Sequence, residues 1–91
     1  MNLTFTRTRY GGAHGVGEDG AVLFTLNPSS RRGSNVVHLQ TGLPGVRPTI
    51  DVESSSAYDF GPAMAKAAQV LQQWAADQLG VALTVTIIDN T

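Results

Sequence analysis

"GPAMAKAAQVLQQWAADQLGVALTVTIID", residues 61 to 89, holds two periodicities back to back, and the fold turns on reading them as a helix followed by a strand. Up to Leu79 the spacing is helical. At 100° per residue Met64, Ala67, Ala68, Leu71, Trp74, Ala75 and Leu79 fall within one stripe, with Lys66, Gln69, Gln73 and Asp77 opposite. Asp59 can cap this helix, Pro62 suits its first turn, and Gly80 stands where a left-handed C-terminal cap belongs. From Val81 the period drops to two, with Val81, Leu83, Val85 and Ile87 alternating against Ala82, Thr84, Thr86 and Ile88, which is the pattern of a strand. With Gly80 alone between them the chain must reverse, so the strand is expected to run antiparallel beneath the helix. The alanines permit close approach to a sheet. Leu71 and Trp74 supply most of the apolar area, each contributing about 1.5–3 kcal/mol when buried.

The chain before the helix reads as strands. "TIDVE" (49–53) alternates, Ile50 and Val52 inward, Asp51 and Glu53 outward; "VVHLQ" (36–40) places Val37 and Leu39 inward, His38 and Gln40 outward. "AVLFTL" (21–26) aligns Val22, Phe24 and Leu26, and "NLTFTRTR" (2–9) aligns Leu3, Phe5, Arg7 and Arg9 against Asn2, Thr4, Thr6 and Thr8. Between the last two lies "GGAHGVGEDG" (11–20), half glycine, which reads as a hairpin loop closed by the turn signal "EDG". The element order is then β-β-β-β-α-β. Residues 1–91 are expected to form a single α+β domain, a mainly antiparallel four- to five-stranded sheet with one amphipathic helix packed on one face. The other face collects Thr4, Thr6, Thr8, Thr25, Thr84 and Thr86 with Leu23, Val36 and Ile88, a surface open to water or to pairing.

Composition narrows the function classes. With 42% hydrophobic and 14% charged residues in 91, the chain has material for one modest core. No cysteine is present, which excludes a disulfide framework and thiolate metal sites and fits a cytoplasmic setting. The longest apolar run falls short of the roughly 20 residues of a spanning helix, so no membrane association is expected. Net charge is −1 but polarised: residues 1–47 carry five arginines against Glu18 and Asp19, +3, while 48–91 carry Lys66 against five acids, −4. A nucleic-acid-binding protein usually has a clear basic excess, which is lacking here.

Three groups of residues invite a chemical reading. A phosphate cradle needs its glycines between a strand and a helix, whereas 11–20 precedes a strand, has no lysine and carries Glu18 and Asp19; a turn or mobile tip is the plainer reading, with His14 as the natural contact for a partner. "SSRRGSN" (29–35) offers Arg31 and Arg32 beside short hydroxyl and amide side chains, and Arg7, Arg9 and Arg47 could extend a phosphate-contacting patch; the alternative is a solvated loop. Its Arg-Arg-Gly-Ser sequence also matches a loose kinase pattern at Ser34. His14 and His38 lack metal-ligand spacing, and Ser54–Ser56 beside Asp51, Glu53 and Asp59 has no activating base, so neither metal, cofactor nor catalysis is expected.

Two families offer partial likenesses. "AMAKAAQVLQQW" (63–74) is similar to the second helix of double-stranded-RNA-binding domains in its Ala-Lys and paired alanines, but lacks their lysine pair and leads into a strand. The order "EDG", strand, alanine-rich helix, strand is similar to HicB-type antitoxins, in which the helix follows the hairpin sooner. In size and style the chain also resembles small accessory or inhibitory proteins of phages and mobile elements, anti-CRISPR proteins among them. The function expected is a small non-enzymatic protein-binding module; partner contacts are expected from Arg31, Arg32, Arg7, Arg9, Arg47 and His14, with nucleic-acid binding through the same arginines as the alternative. A homodimer through the threonine-rich face or an edge strand fits the same pattern.

Overall fold

A computed structural model describes residues 2–7, 11–29, 33, 35–56 and 59–89. In chain order they form β1 (Asn2–Arg7), β2 (Ala13–Val16), β3 (Val22–Pro28), β4 (Val36–Thr41), β5 (Thr49–Glu53), α1 (Gly61–Leu79) and β6 (Thr86–Asp89). One helix packs on one face of one sheet, the α+β architecture expected. The sheet, however, has six strands in the order β5-β4-β3-β2-β1-β6, and it is mixed, because β6 lies parallel to β1 while the other neighbours are antiparallel.

The additional strand comes from the glycine stretch. Ala13–Val16 pairs with β1 on one side and β3 on the other, so β1 and β3 are not hairpin partners. Gly15 lies opposite Phe5 on β1 and Phe24 on β3. A Cβ there would stand 2.8 Å from Phe5 Cε1 and 3.3 Å from Phe24 Cβ, so glycine makes room for two aromatic neighbours. The true turn is shorter: Gly20 N–H donates to Gly17 O at 3.0 Å, and Gly20 takes φ 84°, a left-handed conformation that glycine adopts without a Cβ penalty.

Alternation is broken once, and it moves a side chain. Gly15 pairs with Phe24 but Val16 pairs with Val22, which leaves Leu23 as the extra residue of a β-bulge. Leu23 therefore packs against the core rather than joining the threonine-bearing face. The core gathers Leu3, Phe5, Ala13, Phe24, Leu26, Val37 and Leu39 from the sheet with Phe60, Ala63, Ala67 and Leu71 from the helix side. Along α1 the fully buried positions are Ala63, Ala67, Leu71 and Ala75, a four-residue spacing. Met64 and Trp74 flank this line half-buried, and Leu79, expected inside, is 59% exposed.

The helix crosses the sheet obliquely. Phe60, just before it, meets Arg7 of β1, whereas Trp74 near its far end donates from Nε1 to Pro44 O, in the β4–β5 loop, at 3.0 Å. To reach the outer edge of β1, the chain must then recross from β4 to β6, about 19 Å at ~4.8 Å per strand. Residues 80–85 cover about 20 Å when extended at ~3.3 Å each. Val81–Val85 has the sequence of a strand but is spent on this crossing, so only Thr86–Asp89 is paired and the expected full-length strand beneath the helix is not formed. Gly80 does make the left-handed cap, with φ 66°. Leu83 ends up beside Leu23 and Glu18 below the β2–β3 turn, and Thr84 lies outside the sheet.

The start of α1 is fixed by side chains. Phe60 is the N-cap and offers no side-chain cap; Asp59 Oδ1 accepts from Gly61 N–H at 3.2 Å instead. Ser55 Oγ donates to Asp59 Oδ2 at 2.6 Å, and Ser54 Oγ to Asp59 O at 2.5 Å. This trio ties the end of β5 to the helix.

Candidate functional site

Among the described residues two sheet edges are unpaired, and they differ in kind. On β5 the residues facing away from the helix are Thr49, Asp51 and Glu53, so that edge is bordered by carboxylates, a device that discourages strand pairing. His38 Nδ1 on β4 lies 2.7 Å from Asp51 Oδ1. At the opposite edge every residue of β6 is exposed. Register with β1 sets Ile87 beside Leu3, on the helix side, and Ile88 beside Thr4, on the open side; they are 39% and 45% exposed. Only Asp89, at the strand's end, carries charge. An edge with isoleucine on both faces can gain main-chain hydrogen bonds and bury apolar area together.

The helix-free face continues inward from this edge. Successive partners across five strands align Thr49, Gln40, Thr25, His14 and Thr6 in one row, and Val16, Thr4 and Ile88 in the next. Thr86 stands beside Asn2 on that face. Thr8 lies outside the described residues. The surface is polar toward β5 and becomes more apolar toward β6.

The residues singled out for partner binding are not drawn together, as far as they are described. Arg7 extends from β1 on the helix side, with its guanidinium carbon 5.2 Å from the Phe60 ring centroid. Arg47 is exposed in the β4–β5 loop, three strands away in the sheet, about 14 Å at ~4.8 Å per strand. His14 is exposed on β2, on the helix-free face. Arg9, Arg31 and Arg32 lie outside the described residues, as does Ser34. The alternation over 81–88 sets Ile87 on one side with Val81, Leu83 and Val85 and does not mark it as exposed. The signal that would have exposed it is the crossing requirement on 80–85, which pushes β6 to the sheet's margin.

The Asp59 carboxyl titrates below its ordinary range. The Ser55 hydroxyl, and after it the Gly61 N–H, hold its carboxyl low by hydrogen-bonding the charged form, against a smaller opposing effect of burial. Its hydrogen bonds to Ser55 and Gly61 fix the turn that leads from β5 into α1. Among the described residues no group of three His, Asp or Glu side chains could hold a metal ion, and no helix is long and apolar enough to cross a membrane. The chain matches no family model, no curated protein and no solved structure.

Proposed function

We propose that this chain is a non-enzymatic protein-binding module that takes a strand of its partner along the outer edge of β6. The observation that carries this reading is the contrast between its two edges: β5 is bordered by Asp51 and Glu53, whereas β6 presents Ile87 and Ile88 on opposite faces of a backbone whose outer side no described residue pairs. Main-chain hydrogen bonds would supply affinity, and the two isoleucines, with Thr4 and Val16 behind Ile88, would supply apolar contact and register.

The test is affinity capture with the wild-type chain and an Ile88→Lys variant as parallel baits, washed at low and high salt. A protein retained by the wild type through the high-salt wash and lost by the variant supports the reading. Retention of nucleic acid that falls steeply with salt, and less steeply once Arg31 and Arg32 are replaced, supports phosphate binding instead. Sedimentation of the purified chain separates either from self-association, which the same edge permits. If the captured protein is an enzyme, its activity with and without the chain distinguishes an inhibitor from an accessory subunit.

A further inference from the structure

On the helix side, away from β6, α1 and the β4–β5 loop enclose a cleft of about 270 Å³. Lys66, Val70, Gln73, Trp74 and Asp77 line it from the helix, and Val46 faces them from the loop. The helical positions recur at three and four residues, so they form one stripe. The walls are built in advance. Trp74 is held by its bond to Pro44 O, and Gln73 Nε2 donates to Asp77 Oδ1 at 3.0 Å. The loop is held by Thr41 N–H to Pro48 O at 3.0 Å and Val46 N–H to Leu43 O at 3.3 Å, and it turns at Gly45 with φ 77°. A site fixed in this way loses little conformational freedom on binding.

The charges along the cleft are opposed. Lys66 is the chain's one lysine and is half-buried, yet among the described residues no carboxylate pairs with it. Asp77 stands about 16 Å along the helix at 1.5 Å per residue, the length of about five residues of extended chain. A phosphate-bearing ligand at Lys66 would extend toward a carboxylate. At about 270 Å³ the cleft has room for one large apolar side chain between the two charges. We propose that this cleft docks an extended peptide segment of a partner protein, with an acidic residue at Lys66, an apolar residue on Val70 and Trp74, and a basic residue at Asp77.

The inference stands apart from the reading of β6, and the experiment keeps them apart. Three acetylated, amidated peptides are titrated into the full chain: Asp-Ala-Leu-Ala-Arg, the all-acidic Asp-Ala-Leu-Ala-Asp, and the neutral Asn-Ala-Leu-Ala-Gln. Binding is followed by the fluorescence of Trp74, the only tryptophan, and by amide chemical shifts. The expected result is saturable binding of the bipolar peptide at least about tenfold tighter than the other two, with shifts at α1 and residues 43–48. Lys66→Gln, whose fold is checked by its unchanged emission without peptide, should reduce the bipolar peptide to the affinity of the neutral one, while Ile88→Lys should bind as the wild type does. Equal binding of all three, no saturation, indifference to Lys66→Gln, or loss of binding in Ile88→Lys would each overturn the proposal.

Discussion

The Arg7 guanidinium carbon lies 5.2 Å from the centroid of the Phe60 ring, joining the end of β1 to the residue that begins α1. Phe60 itself is buried. The arginine thus closes the core where the chain, having left β5 at the far edge, arrives over β1. A residue that sequence reading assigned to a partner has a structural contact within the chain.

An exposed cation–π contact of this kind contributes about 0.5–1 kcal/mol. Arg7→Ala should therefore lower the unfolding free energy by about that amount, with Arg7→Lys retaining part of it. Phe60→Ala should cost about 3–5 kcal/mol, because a buried aromatic is lost. Urea unfolding of the three variants checks this. No change in Arg7→Ala would mean that the contact does not hold the helix start.

Gly15 makes a sharper prediction, since its added Cβ would meet Phe5 Cε1 at 2.8 Å. Gly15→Ala should destabilise by about 1–3 kcal/mol, the usual range for overpacking. Combining it with Phe5→Leu should recover part of the loss, because the offending ring is removed; the two changes should be non-additive. A neutral Gly15→Ala would place residues 13–16 outside the sheet.

These two sites show what was legible in the sequence. The helix was readable from spacing, and its ends from Pro62 and Gly80, since local chemistry determines them. β2 was not, because the glycine that makes it look like a loop is demanded by Phe5 and Phe24, residues that only the fold brings alongside. Leu23 was misplaced for a related reason, a bulge being invisible to strict alternation. Val81–Val85 carries a strand pattern, but the crossing from β4 to β6 takes priority over pairing. The cleft at Trp74 escaped notice because its loop and helix walls are distant in sequence and share no period.

Asp59 predicts a pH effect. Its carboxyl titrates lower in the folded chain than in the unfolded one, so its support for the fold is complete above the unfolded value, about 3.9, and is lost as pH falls through the folded value. Asp59→Asn should be less stable than the wild type at neutral pH, and the two should converge as acid protonates Asp59. Urea midpoints of both chains across that range test it; a gap that persists undiminished in acid would mean that the carboxylate's charge is not its source.

Trp74 reports on the join between α1 and the β4–β5 loop. Trp74→Phe removes the donor to Pro44 O and should cost about 0.5–1.5 kcal/mol, while faster amide exchange at residues 43–48 shows the loop released. Unchanged exchange there would place the loop's order in its own backbone bonds.

The most direct test of recognition at β6 is amide hydrogen exchange of the chain alone and in complex with the protein it retains. Added protection at residues 86–89, strongest on amides that face away from β1, is the predicted result. Protection gained only at residues 29–35 or elsewhere on the molecule, with 86–89 exchanging as in the free chain, would contradict it.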